Sequence, residues 1–139
     1  METSLDWYSL CAVLLFFKML GLSLYQGYHR IGKGRYKNPE DAAFVGKTPV
    51  SEELPQVQRA QRAWQNDLEN IPVFFALGLI YVLVEAAPAA GASFFATFTA
   101  ARYVHSISYL LELQPWRTVA YGVGLICLVG MSVAILQAL

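Results

Sequence analysis

Three groups of polar side chains recur at helical spacing in an otherwise apolar chain. Arg62, Asn66 and Glu69 fall at i, i+4 and i+7; Arg102, His105 and Tyr109 at i, i+3 and i+7; Arg117 and Tyr121 at i and i+4. Each spacing puts its members on one face of a helix. A guanidinium fork pairs with a carboxylate at two points, so an Arg, an Asn and a Glu converging at one helix end describe a socket for a polar ligand. The competing reading is an internal ion-pair network, such as Arg102 with Glu69. That network leaves Arg117, Tyr109 and Tyr121 without partners.

The elements that carry these groups read as membrane helices. Of 139 residues, 56% are hydrophobic and only 14% charged, and the mean hydropathy is +0.42. Soluble domains average about 25% charged residues. The fold class is therefore all-α and integral to a membrane. Apolar spans that need about 20 residues to cross a bilayer occur at about 7–29, 59–86, 92–111 and 118–136, and they form one domain, 1–139, as a compact up-down four-helix bundle. Residues 30–58 form a polar loop with Lys33, Arg35, Lys37 and Lys47, and turn signals at Asn38-Pro39, Pro49 and Pro55. Lys and Arg concentrated beside a membrane mark the cytoplasmic side, which puts the N-terminus on the other side. Lys18 lies inside the first span, where a cation must face the bundle interior; a carboxylate or backbone partner is the simplest role for it.

Other function classes are excluded. The net charge is zero, so nothing draws the chain to nucleic acid. No Cys/His pair has zinc spacing and no metal is expected. Hydrolase and metalloprotease motifs are missing, and Gly32-Lys33-Gly34 lacks the rest of a phosphate loop. Cys11 and Cys127 sit in apolar runs and read as packing residues. Ala96, Ala100, Gly122, Gly124 and Gly130 suit close helix contacts.

Four stretches in order, Asn38-Pro-Glu-Asp41, Arg62-Ala-Trp-Gln-Asn-Asp-Leu-Glu69, Arg102-Tyr-Val-His-Ser-Ile-Ser-Tyr109 and Pro115-Trp-Arg-Thr118, resemble the membrane-associated proteins in eicosanoid and glutathione metabolism over about residues 15–125. The Asn-Asp-Leu-Glu-Asn-Ile run is similar to the glutathione transferase branch. The resemblance implies a homotrimer of four-helix subunits with glutathione bound at each subunit interface near the cytoplasmic side. It implies that Arg62, Gln65, Asn66, Glu69, Arg102, His105, Tyr109 and Tyr121 hold glutathione, and that Arg30 reaches the site of a neighbouring subunit. It places Arg117 beside the sulfur, with Thr118 or Tyr121 as hydroxyl partner, and makes Asp41 an acidic loop residue of the synthase chemistry. Gln65 stands where the synthase branch has an arginine, Trp64 where relatives have a histidine, and Thr118 replaces a serine.

The implied activity suits these side chains. A free thiol has a pKa of about 8.5, and lowering it by about two units takes about 2.7 kcal/mol of preference for the thiolate. A guanidinium and a hydroxyl in a partly desolvated site supply that. The expected function is a membrane-bound glutathione transferase acting on hydrophobic electrophiles or lipid hydroperoxides that enter from membrane lipid, in a bacterial inner membrane or the endoplasmic reticulum. The alternatives are a glutathione-dependent isomerase or peroxidase, a non-catalytic lipid-binding scaffold, and a small channel lined by Lys18, Arg102 and Glu69.

Overall fold

The structure, a computed structural model, describes residues 3–139. Five helices follow one another: α1 (Ser4–Lys33), α2 (Pro39–Phe44), α3 (Pro55–Leu83), α4 (Pro88–Leu110) and α5 (Trp116–Ala138). The long helices extend beyond the apolar runs because polar residues continue them past the bilayer. Thr3 and Asp6 form a capping box that starts α1, each side chain bonding the other's backbone N–H at 3.1–3.2 Å. Gly34 ends it at φ 56°, the left-handed geometry glycine adopts without a Cβ clash. The Gly-Lys-Gly run is thus a helix terminus and not a phosphate loop. The short helix α2, inside the loop read as wholly polar, has Pro39 at its first position, where proline's fixed φ favours helix and its missing N–H is not needed.

Among the described residues, α1, α3 and α5 are long and apolar enough to cross a membrane. The fourth long helix, α4, has 23 residues, about 34 Å at 1.5 Å per residue, but carries the buried Thr99, Arg102, His105, Ser106 and Ser108. Its polar groups face protein because it packs against α1, α3 and α5. The outward faces are apolar, with Leu24, Ile126 and Leu136 each more than 60% exposed. In water such a surface would be unfavourable at roughly 25 cal/mol per Å²; in lipid it is matched.

The core is aromatic at the end away from the basic loop. Phe74 of α3 stacks on Phe98 of α4 with centroids 4.5 Å apart, and Tyr8, Tyr81 and Phe95 meet around them edge to face or tilted. Gly78 and Gly130 allow this packing: a Cβ on Gly78 would lie 2.7 Å from the Tyr8 ring, and one on Gly130 would lie 2.6 Å from Phe94. Gly130 thus plays the close-contact role expected of it, whereas Gly122 has open space around it. Cys11 and Cys127 are buried free thiols, as expected of packing residues.

Toward the basic end the core changes character. The buried residues of α3 are Val57, Ala60, Ala63, Asp67, Ile71, Phe74, Gly78 and Tyr81, one stripe at spacings of three and four. A single carboxylate sits on that stripe. Asp67 is fully buried and pairs with Lys18 of α1 and with Arg102 of α4. Arg102 donates to it from Nε at 3.3 Å and Nη2 at 2.7 Å, and from Nη2 to Asn66 Oδ1 at 2.7 Å. This corrects the expected Arg102–Glu69 pair. Glu69 lies two residues further on, about 200° around the helix, and is exposed. The simplest reading of Lys18, a structural cation awaiting a carboxylate, is borne out.

Candidate functional site

At the basic end, where α3 begins and α4 turns into α5, a cleft of about 230 Å³ is lined by Arg59, Arg62, Ser108, Tyr109, Glu112, Leu113, Gln114 and Arg117. Arg62, Tyr109 and Arg117, taken from three helices by the sequence reading, meet here. Helical phase explains it. Arg62 and Arg59 share one side of the first turns of α3, Tyr109 occupies the last turn of α4, and Arg117 the first turn of α5. The connection between α4 and α5 is short enough to bring the last two together. The Arg117 guanidinium lies 4.6 Å from the centroid of the Tyr109 ring, a cation–π contact.

Gln114 completes the hold on Arg117. Two guanidinium N–H groups face its side-chain amide, so the oxygen must turn toward them, because an NH₂ there would oppose donors to donors. In that orientation the oxygen accepts from Arg117 Nη2 at 2.5 Å and Nε at 3.1 Å, and the amide nitrogen donates to Thr118 Oγ1 at 3.2 Å. Arg117 therefore has the partners that spacing alone could not supply. Arg59 forms an ion pair with Glu112 at the cleft's edge, on exposed side chains where such pairs add little stability.

From Tyr109 an aromatic row continues inward. The His105 ring lies 5.7 Å from Tyr109 and 6.5 Å from Tyr121. His105 is buried, and its Nδ1 has no hydrogen-bond partner among the described residues. A buried unpaired ring nitrogen is uncommon in a finished core and suits a ligand group arriving beside it. Tyr121 and Thr118 are exposed on α5, next to the row and to Gln114 respectively.

Other expected site residues lie elsewhere in the chain. Arg102 is 1% exposed and turned into the bundle, so it does not line the cleft. Its role here is to hold Asp67 and Asn66, because α4 presents it to the buried stripe of α3. Asn66 is turned the same way by that bond, while Gln65 and Glu69 are exposed on other sides of α3. Arg30 pairs with Glu53 at 2.6–2.8 Å. It lines a separate polar cleft of about 370 Å³ with Tyr36, Lys37, Asn38, Asp41, Glu53 and Gln61, where Asn38 Nδ2 donates to Asp41 Oδ2 at 3.1 Å. An adjoining apolar cleft of about 450 Å³ shares Arg30, Tyr36 and Asp41 with it and adds Gly27, Ile31, Phe44 and Val45. The chain thus carries two separate polar clefts, one around Arg117 and one around Arg30.

The sequence reading missed Asp67 and Gln114. Asp67 had a signal, a carboxylate interrupting an apolar stripe at spacings of three and four. Gln114 had none, since it lies in a connection with no periodicity to read.

A cationic cleft with one carboxylate and an aromatic wall can bind an anion and stabilise a developing negative charge next to Arg117. Comparison with known proteins agrees with the four quoted stretches. A model of the MAPEG family matches residues 8–137. The chain is 35% identical over 127 residues to "Prostaglandin E synthase" from Equus caballus, covering 91% of this chain and 83% of that protein. It is 34% identical over 128 residues to the protein of the same name from Homo sapiens, covering 91% and 84%. It is 33% identical over 132 residues to "Microsomal glutathione S-transferase 1" from Homo sapiens, covering 91% and 85%. With its apolar helices and the match over nearly its whole length, the chain is an integral membrane protein that belongs to the MAPEG family.

Proposed function

We infer that this protein is a membrane-bound glutathione S-transferase, which activates the glutathione thiol and adds it to a hydrophobic electrophile. The observation that carries the reading is the meeting of Arg62, Tyr109 and Arg117 in one cleft at the basic end of the bundle. It is supported by relatives named as microsomal glutathione S-transferase and prostaglandin E synthase.

Glutathione has two carboxylates, an ammonium and a thiol. Arg62 and Arg59 suit its carboxylates through two-point bonds. Glu69 and Gln65, exposed outside this cleft, are proposed to meet its ammonium and a further polar group across a subunit interface, while Asn66 stays bonded to Arg102. His105, buried behind Tyr109, and Tyr121, exposed on α5, are proposed as further contacts. Arg117 stabilises the thiolate, with the Thr118 or Tyr121 hydroxyl as a second donor; glutathione then supplies the nucleophile. The thiolate sulfur forms a bond to the electrophilic carbon, and the displaced group leaves with the electron pair, or the electrons pass to an activated double bond that takes a proton from solvent.

Four membrane spans and a homotrimer complete the reading. The half-site around Arg30 lies apart from the cleft in one subunit, and a neighbour's copy is the natural way to join them. Arg102, buried with Asp67, then supports the site by fixing Asn66 and the α3–α4 interface. The basic stretch 30–47 faces the cytoplasm, and the electrophile or lipid hydroperoxide enters from membrane lipid through the outward apolar faces.

The test is turnover of purified protein with a chromogenic conjugation substrate and, beside it, a lipid hydroperoxide and a prostaglandin endoperoxide. A product that contains glutathione supports the transferase. An isomerised product free of glutathione supports the second reading, a glutathione-dependent isomerase, favoured by Asp41 in the Arg30 half-site. Absence of glutathione binding by calorimetry would leave a lipid-binding scaffold or a small channel, which flux in liposomes separates.

A further inference from the structure

We infer that Gln114 is a positioning residue of this site: its side-chain amide orients the Arg117 guanidinium and the Thr118 hydroxyl while leaving the charge of one and the proton of the other free for the ligand. The inference rests on the reading that a thiol is activated beside Arg117.

Three features of the geometry carry it. First, the Gln114 oxygen takes both Nε–H and one Nη2–H of Arg117. These lie on one edge of the planar group, so the guanidinium is held along that edge and the N–H groups of its other edge are not used by Gln114. The Tyr109 ring at 4.6 Å closes one face. Second, the partner is neutral. Arg30, Arg59 and Arg102 each meet a carboxylate, from Glu53, Glu112 and Asp67, whereas Arg117 is held by an amide. A carboxylate in that place would compensate the charge the sulfur needs, so an amide fixes the group without neutralising it. Third, Thr118 Oγ1 accepts from the Gln114 NH₂ group at 3.2 Å. The hydroxyl's acceptor side is satisfied within the protein, and its own proton remains to be donated. Gln114 thus sets the direction of both donors at once, at offsets of three and four residues across the start of α5.

Gln114→Glu and Gln114→Ala separate charge from position. Gln114 is exposed, so both variants are expected to fold with wild-type circular dichroism. Thiolate absorbance of bound glutathione against pH gives a midpoint for each, and turnover at saturating glutathione gives the rate. Gln114→Glu should raise the midpoint by about one unit, which is about tenfold less thiolate at pH values below both midpoints. Gln114→Ala should keep the midpoint near wild type and lower turnover, because the charge remains but swings. The third readout needs no glutathione: with ¹⁵N-arginine labelling, the Arg117 Nε–H should exchange slowly with water in the wild type and quickly in Gln114→Ala. Wild-type midpoints and turnover in both variants overturn the inference, as does fast Nε–H exchange in the wild type. Slow exchange lost in Gln114→Ala, in a protein whose added glutathione ionises only in the range of the free thiol, about 8.5, refutes the functional reading and with it the link between this contact and thiol activation.

Discussion

Replacing Asp67 by Asn should do far more damage than replacing Lys18, although both belong to one ion pair. Asp67 is fully buried, and the side chains of Lys18 and Arg102 are 4% and 1% exposed. Two cations surround one carboxylate, so the cluster holds one surplus positive charge. Asp67→Asn leaves two buried cations with only amide oxygens. Removing one partner of a buried pair costs about 3–5 kcal/mol, because the remaining charge is uncompensated. Lys18→Met removes the surplus charge and keeps the Arg102–Asp67 pair with its bonds at 2.7 and 3.3 Å. An apolar side chain of similar length then fills the space, and such replacements are often close to neutral. We therefore expect a loss of about 3 kcal/mol or more for Asp67→Asn, and about 1 kcal/mol or less for Lys18→Met. The double variant should be more stable than Asp67→Asn alone, because it removes one of the two stranded cations. Reversible unfolding in mixed micelles with increasing dodecyl sulfate, followed by circular dichroism, measures all three. Equal losses for the two single variants, or a double variant weaker than Asp67→Asn, would show that the cluster's charge balance is not what holds these helices in register.

Three further outcomes are expected. Arg117→Ala should fold and bind glutathione but lose the thiolate absorbance, with thiolate falling about 25-fold at pH 7 if the site lowers the thiol pKa from about 8.5 by about two units; a wild-type thiolate signal and turnover would move the role to Tyr121 or Thr118. Glu69→Gln should weaken glutathione binding measured by calorimetry while stability stays within about 0.5 kcal/mol, since Glu69 is exposed and does not pair with Arg102; loss of stability along with binding would assign it a structural role. Arg30→Ala and Arg117→Ala subunits, each impaired alone, should regain part of the activity when co-expressed, because the proposed trimer, when mixed, contains interfaces with both arginines intact; no recovery, or fully active monomers by native mass spectrometry, would place the whole site in one subunit.

Sequence alone determined a great deal here. A low charged fraction and long apolar runs identify membrane helices, since the hydrophobic effect reads composition directly. Helical periodicity puts Arg62, Tyr109 and Arg117 on defined faces of their helices, and the structure brings those three residues together. Lys18 inside a span demanded a buried partner on energetic grounds before any partner could be named. Tertiary structure decided which partner. A period of 3.6 residues states which residues share a face, but not which face meets a neighbouring helix. That depends on the rotation and register of α3 against α1 and α4. Those are set by the apolar stripe from Val57 to Tyr81, and the stripe carries Asp67 inward and leaves Glu69 exposed. The same packing turned Arg102 and Asn66 away from the cleft that spacing assigned to them. Gln114 lies in a connection, where position follows from how two helices are joined and not from any repeat, so its hold on Arg117 became visible only once α4 and α5 were brought together.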